Sequence, residues 1–324
     1  IAHNEERFPK KIRAGKSGKQ KVRFQYFEDC YKENAFLAED IRQTVQNGVP
    51  LSEIAVLFRT NMQPRALMEY MVSANLAFQT KDRIPDIYEH WIARDFFTYI
   101  RIAQGSDSRA DFLSIMNRPK RYIGRDSLPD ETVCFDEWMK LYEEQPWIAE
   151  RIEKLWYDLK HLSRLSPYAA INYIRRGIGY DDYLAEYAEY RNVNKEDFYE
   201  VADEILASAK GYRTFEEWFA HIEEYRQELK RLAQEKRRNQ NAVTFATLHS
   251  AKGLEFTKVY LIDVNEGVMP YKKAVLKQDV EEERRLFYVG MTRAKESLTI
   301  CSVKKMRGKE VELSRFIKEA GKEP

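Results

Sequence analysis

Cysteine is scarce. Only Cys30, Cys134 and Cys301 occur in 324 residues, far apart and at no metal-binding spacing. They read as ordinary thiols of a reducing compartment. Charge of one sign is also scarce. With 54 Lys and Arg against 52 Asp and Glu, the net charge is +2. No global field draws the chain to nucleic acid, so any such binding must come from local patches. No signal peptide or apolar run of membrane length is present, and the expected location is the cytoplasm. A phosphate-cradling loop is missing too. Gly15-Lys16-Ser17 resembles the end of G-x-x-x-x-G-K-[ST], but the first glycine position holds Lys10. No strand precedes it, and a strand follows where a helix is needed. No Asp-Glu pair follows a hydrophobic strand, as a Mg²⁺ site would require; Asp130-Glu131 lies in a Pro-flanked polar loop.

What is present suits a globular chain: 44% of residues are hydrophobic and 33% charged. Residues 1–20 are polar and basic and read as a linker. From Lys21, alternation in KVRFQYF predicts a strand. Glu28 to Asn47 reads as a helix with a stripe of Ala35, Phe36, Ala38, Ile41 and Val45, stopped at Asn47-Gly48. The continuous apolar run from Ile54 predicts a strand buried on both faces. A helix from Met62 to Ala74 follows. This βαβα order argues for a parallel sheet. From Tyr88 to about Asn241 strand signals almost vanish. Aromatic and charged residues recur there at helical spacing, and the aromatics read first as core packing. A helical domain, 91–241, is therefore expected to interrupt one α/β domain formed by 20–90 and 242–324.

The chemistry concentrates between Ala242 and Ser302. TLHSAKGLEF directly follows a strand. Gly253 lets the turn's amides face outward, where they can hold phosphate. Thr247 and His249 stand at the strand's C-terminal edge, where ligands of open α/β sheets bind. Glu255 can accept hydrogen bonds from ribose hydroxyls; a plain turn with a surface Glu would look the same. Glu281 to Lys295 reads as a helix with Leu286, Val289 and Gly290 facing inward and Arg293 continuing that stripe. An Arg so placed needs an anion, either a phosphoryl group in transfer or a nearby carboxylate. Arg59 ends the second strand and is expected in the same crevice. Phe58 offers a flat surface for a base.

These motifs resemble the C-terminal half of the UvrD/Rep/PcrA family of superfamily 1 DNA helicases. VLFRTNMQPRALME is similar to that family's motif IV, TLHSAKGLEF to motif V, and EEERRLFYVGMTRAK to motif VI. HNEERFPKKI is similar to the segment after motif III. The resemblance covers nearly the whole chain and implies a RecA-like domain 2A without its own P-loop. Its all-α insertion would be domain 2B, and domains 1A and 1B would belong to a longer parent protein. It implies ATP and Mg²⁺ as cofactors, bound mainly by domain 1A. It also implies single-stranded and forked duplex DNA as partners, with 3′→5′ movement. Arg59 and Arg293 would reach the γ-phosphate, Glu255 the ribose and Phe58 the adenine, with Gly253 in the same motif. Thr247 and His249 would touch single-stranded DNA. Arg118-Pro-Lys-Arg-Tyr-Ile-Gly124 is similar to a Gly-Ile-Gly segment that meets duplex backbone. Arg118, Lys120, Arg121 and Gly124 are the residues implied there, with Tyr122 replacing the first Gly. FQTKDRIPDIYEHWIARD departs from the family's Phe-x-Glu-Arg-x-Glu element, so those contacts do not carry over.

Two other readings compete. One is a non-catalytic DNA-binding or protein-docking module served by Arg226, Lys230, Arg231, Lys236, Arg237 and Arg238. Interspersed Glu228 and Glu235 favour a solvated helix face over a binding patch. The other is a subunit of a RecB-like helicase-nuclease, for which no nuclease carboxylate cluster appears.

Overall fold

The computed structural model describes residues 3–5, 22–235 and 241–321, with backbone alone at 232–235. The basic tail, Gly15-Lys16-Ser17, and Lys236 to Arg238 of the basic run lie outside the described residues. The chain forms two compact units, 1–85 with 227–324, and 86–226.

The first unit is an α/β layer structure of the RecA-like type. Its elements are β1 (Arg23–Asp29), α1 (Cys30–Gln46), β2 (Ile54–Phe58), α2 (Arg65–Ser73) and β3 (Phe78–Thr80). After the second unit come β4 (Val243–Thr247), β5 (Phe256–Leu261), α11 (Lys277–Met291), β6 (Ala294–Met306), β7 (Lys309–Glu310) and α12 (Arg315–Glu319). The strands lie in the order β1-β6-β5-β2-β4-β3, all parallel, and β7 adds to β6 antiparallel. The second unit holds α3 (Trp91–Ala103), α4 (Arg109–Ile115), α5 (Phe135–Lys140), α6 (Pro146–Leu162), α7 (Pro167–Arg176), α8 (Tyr180–Arg191) and α9 (Lys195–Ser208). It also holds the first part of α10 (Phe215–Glu235), and the boundary between the units falls inside that helix. Among the described residues no helix is long and apolar enough to cross a membrane.

Every residue of β2 is buried, because the sheet is covered on both sides. Ala55 and Leu57 face a core shared with Leu248, Ala251, Leu286, Phe287 and Phe316. Ile54, Val56 and Phe58 face the opposite core, with Leu37 and Ile41 of α1 and Leu67, Met68 and Met71 of α2. The period of two along one strand thus separates two helix layers. Helix α1 begins where Asp29 accepts the Lys32 amide at 3.0 Å. Its buried stripe runs through Leu37, Ala38, Ile41 and Thr44. Ala35 and Phe36 sit at its margin and Val45 is exposed, one position off the stripe expected from sequence. Helix α2 starts at Arg65, three residues later than its sequence pattern suggests.

Polar groups buried under the sheet are tightly paired. Asp40 accepts from Lys258 Nζ at 2.6 Å, Tyr260 OH at 2.6 Å and Arg23 at 3.1 Å. Burial by itself would raise the Asp40 pKa, but the bonds from Lys258 and Tyr260 outweigh it and hold the carboxyl below its ordinary value. Glu33 is the opposite case. It is 1% exposed, and burial, reinforced by the Asp263 carboxylate, pushes its pKa well up from 4.5. Folded Glu33 therefore keeps its proton at pH values where the unfolded chain has lost it. Stability falls as pH rises above 4.5 toward the raised folded value. Glu33→Gln keeps the carbonyl that accepts the Asp263 amide at 3.2 Å and cannot ionise. It is expected to raise Tm at pH 8 and to leave it unchanged at pH 4, with each kcal/mol recovered showing as roughly 2–4 °C in a melting curve. Equal shifts at both pH values would exclude ionisation as the cause.

Candidate functional site

Two groups of candidate residues lie at opposite edges of the sheet. The first surrounds Arg293 at the N-terminal ends of β5 and β6. The sequence pattern predicts that the helix runs on to Lys295, but α11 ends at Met291 and β6 begins at Ala294. Arg293 therefore stands in the turn and not on the helix's inward stripe, which is Glu283, Leu286, Phe287 and Gly290. The strand ladder accounts for the early stop: Phe256 donates its amide to the Arg293 carbonyl at 2.9 Å, and Ala294 pairs with Phe256.

The Arg293 guanidinium is held by neutral groups. Nε donates to the Val289 carbonyl at 2.9 Å, one Nη to the Leu254 carbonyl at 3.0 Å, and the other to Thr292 Oγ1 at 2.9 Å. No carboxylate pairs with it among the described residues. Guanidinium has five N–H donors, so one on each terminal nitrogen is left over. Glu255 is exposed and lies between two residues bonded to Arg293, Leu254 and Phe256. Gly253 is exposed beside it at φ +84°, a conformation that favours glycine. The fold thus gathers Arg293, Glu255 and Gly253.

The second group stands at the C-terminal ends of β2 and β4, about five residues of strand away, or roughly 17 Å. Here the structure corrects the reading of Arg59. Its guanidinium grips Glu283 of α11, with Nε 3.0 Å from both carboxylate oxygens and Nη2 2.7 Å from one. It also lies 5.1 Å over the Tyr271 ring. The neighbouring backbone is fixed by Gln63, whose carbonyl oxygen accepts the Arg59 and Thr60 amides at 2.8 and 2.7 Å. Arg59 and Arg293 do not share a crevice, because one follows a strand's end and the other precedes a strand's start in a parallel sheet. Phe58 does not present its ring at the surface. It is 1% exposed and packs against Phe245 within the core.

Thr247 is nearly buried, and its donors are taken. Asp82 accepts its amide at 2.7 Å and its hydroxyl at 3.2 Å, and the Ser250 hydroxyl at 2.5 Å. Asp82 belongs to the stretch whose family pattern is rearranged, so sequence comparison offered no role for it. A carboxylate that meets the TLHS turn from 165 residues away leaves no periodic trace. His249 and Lys252 of the same turn are exposed.

Helix α11 joins the two edges. Its 15 residues span about 22 Å at 1.5 Å per residue. Glu283 near its middle holds Arg59, and Arg293 follows its end. Between them Gly290 lets the helix approach Leu248, since an added Cβ would stand 2.3 Å from Leu248 Cδ2 and 3.2 Å from Leu261 Cδ2.

In the second unit, the segment from Arg118 to Gly124 is folded around its own side chains. Arg121 is buried, donating to the carbonyls of Ile115, Met116 and Pro119 at 3.2, 3.0 and 3.4 Å and to Tyr99 OH at 3.2 Å. It cannot reach a polymer without unfolding the loop, which removes it from the candidate interface. Arg118 binds Asp95 at 2.7 and 2.9 Å. Lys120 is 60% exposed and pairs with Glu186 at 2.9 Å. The Gly124 amide donates to Tyr142 OH at 3.2 Å. Of the basic run near α10, Arg226 binds Asp86 at 2.8 Å and Arg231 pairs with Glu228. Among the described residues no group of three His, Cys, Asp or Glu is arranged to hold a metal ion.

Comparison with known families matches residues 1–132 and 185–305 to the UvrD-like helicase C-terminal domain. The chain belongs to the UvrD-like helicase family. Among its relatives are YjcD of Bacillus subtilis, 26% identical with 98% of this chain and 43% of YjcD covered. The ATP-dependent DNA helicase PcrA of the same organism is 26% identical over 94% of this chain and 44% of PcrA. The ATP-dependent DNA helicase Rep of Salmonella typhimurium is 27% identical over 84% of this chain and 44% of Rep. The chain thus spans less than half the length of these relatives. A UvrD-like helicase C-terminal domain explains the α/β architecture and the match of both outer segments. The family model leaves 133–184 unmatched, a segment that contains α5 to α7 and the start of α8.

Proposed function

We propose that this chain is the C-terminal part of an ATP-dependent DNA helicase that moves 3′→5′ along single-stranded DNA. The observation that carries the reading is Arg293: a guanidinium held by neutral groups, with two donors left over, beside exposed Glu255. That environment fits the terminal phosphate and ribose of a nucleotide whose remaining contacts come from another domain. ATP with Mg²⁺ supplies the phosphoryl group for hydrolysis, and among the described residues no carboxylates are grouped to hold the metal. Arg293 places a permanent, planar charge where negative charge grows during transfer. Glu255 accepts hydrogen bonds from sugar hydroxyls. At the other edge His249 and Lys252 contact the DNA strand, with Thr247 and Asp82 holding their turn. Arg59 is left out of phosphate binding in this reading, because its charge is spent on Glu283. Helix α11 carries movement between the edges, since it is bonded or packed to both.

The full-length protein is expected to hydrolyse ATP when single-stranded DNA is added and to displace a duplex bearing a 3′ tail. A strand-displacement assay on 3′- and 5′-tailed forks tests this. Displacement from the 5′ tail alone would overturn the polarity. DNA binding without any DNA-stimulated ATPase would favour the non-catalytic module.

A further inference from the structure

We propose that Tyr122, Trp147 and Arg151 form a stacking site for an unpaired DNA base on the helical unit. The inference rests on the DNA-binding reading above and adds a ligand contact to it. Tyr122 adopts φ +59° and Trp147 lies near the start of α6. Tyr122 is 65% exposed and Trp147 49% exposed. Their ring centroids are 6.4 Å apart at 65°. The Arg151 guanidinium lies 5.1 Å from the Tyr122 ring and 4.9 Å from the Trp147 ring. It donates to the Arg121 carbonyl at 3.1 Å and pairs with no carboxylate among the described residues.

The fold does not need this arrangement. A left-handed backbone is costly for tyrosine and free for glycine, and the Tyr122 hydroxyl has no partner among the described residues. Two large rings stand in water although the same unit buries many others. The loop beneath them is rigid, because Asn117 bridges Arg121 and Ile123 and Arg121 fills its interior. The rings are therefore presented in a fixed pose, which lowers the entropy lost when a flat ligand stacks. A base is the occupant that fits. Aromatic faces bind any base, an unneutralised guanidinium adds cation–π and phosphate attraction, and exposed Lys120 and Arg125 flank the site. The alternative of a backbone amide reading phosphate is closed at Gly124, whose N–H is held by Tyr142.

The test is a titration of the whole chain with a labelled oligothymidylate and with an abasic strand of equal length. Wild type should bind the thymidylate about tenfold more tightly, the scale of one stacked base. Tyr122→Gly and Trp147→Ala should each lose most of that preference while binding the abasic strand unchanged. Glycine suits the backbone at 122, so that variant keeps its fold. Equal binding of both strands by wild type, or variants that keep the preference, would overturn the stacking site and leave DNA binding through phosphates intact. Failure of wild type to bind either strand would remove the DNA-binding reading together with this one.

Discussion

Arg293→Ala in the full-length protein is expected to lower ATP turnover by about 10³-fold or more, the scale of an arginine supplied to a phosphoryl transfer. DNA affinity should stay within a few-fold, because the turn carrying His249 lies at the other edge of the sheet. Arg293→Lys should rescue little. A lysine cannot hold the Leu254 and Val289 carbonyls and still present two parallel donors. Steady-state ATPase with saturating single-stranded DNA measures the effect, and filter binding or anisotropy supplies the control. Melting of the variant should change little, since water can reach the two freed carbonyls at the helix end. Turnover within a few-fold of wild type would remove Arg293 from the nucleotide site.

Arg59→Ala should behave differently, and the contrast separates the two arginines. Its loss strands Glu283, a buried carboxylate that also accepts the Tyr271 amide at 3.1 Å. Breaking a buried pair from one side costs about 3–5 kcal/mol. The Arg59 side chain is 20% exposed, so about 3 kcal/mol is expected. At roughly 2–4 °C per kcal/mol, Tm of this chain alone should fall by about 6–12 °C. Glu283→Gln should cost less, because an amide can still accept from Arg59 and Tyr271. No nucleotide or DNA is needed for the measurement. An unchanged Tm in Arg59→Ala, with lost ATPase in the full protein, would return Arg59 to the phosphate.

The reason for this contrast is topological. Each arginine follows an apolar run and carries the same charge, so sequence pattern treats them alike. Only the parallel sheet assigns opposite edges to a residue after β2 and a residue before β6. The helix end matters in the same way. EEERRLFYVGMTRAKE has helical character throughout, yet Ala294 finds a ladder partner in Phe256, and strand pairing wins over local propensity from there.

Other features were legible from the chain itself. The unbroken apolar run at Ile54 announced a strand covered on both faces, and the alternating βαβα order announced a parallel sheet. The ordered motifs from Val56, Thr247 and Glu281 announced the family. Burial of individual side chains was not legible. Phe58 and Arg121 looked available because aromatic and basic residues often serve ligands; the first lies under the α1 and α2 layer and the second fills its own loop. Asp82 was invisible because its partners are 165 and 168 residues away. The sequence by itself determined the parallel α/β class, the helical character of the insertion and the family, because those depend on local periodicity and contiguous motifs. The tertiary structure alone decided which charges are already neutralised and which stay free to act, because that depends on partners brought together only when the sheet closes.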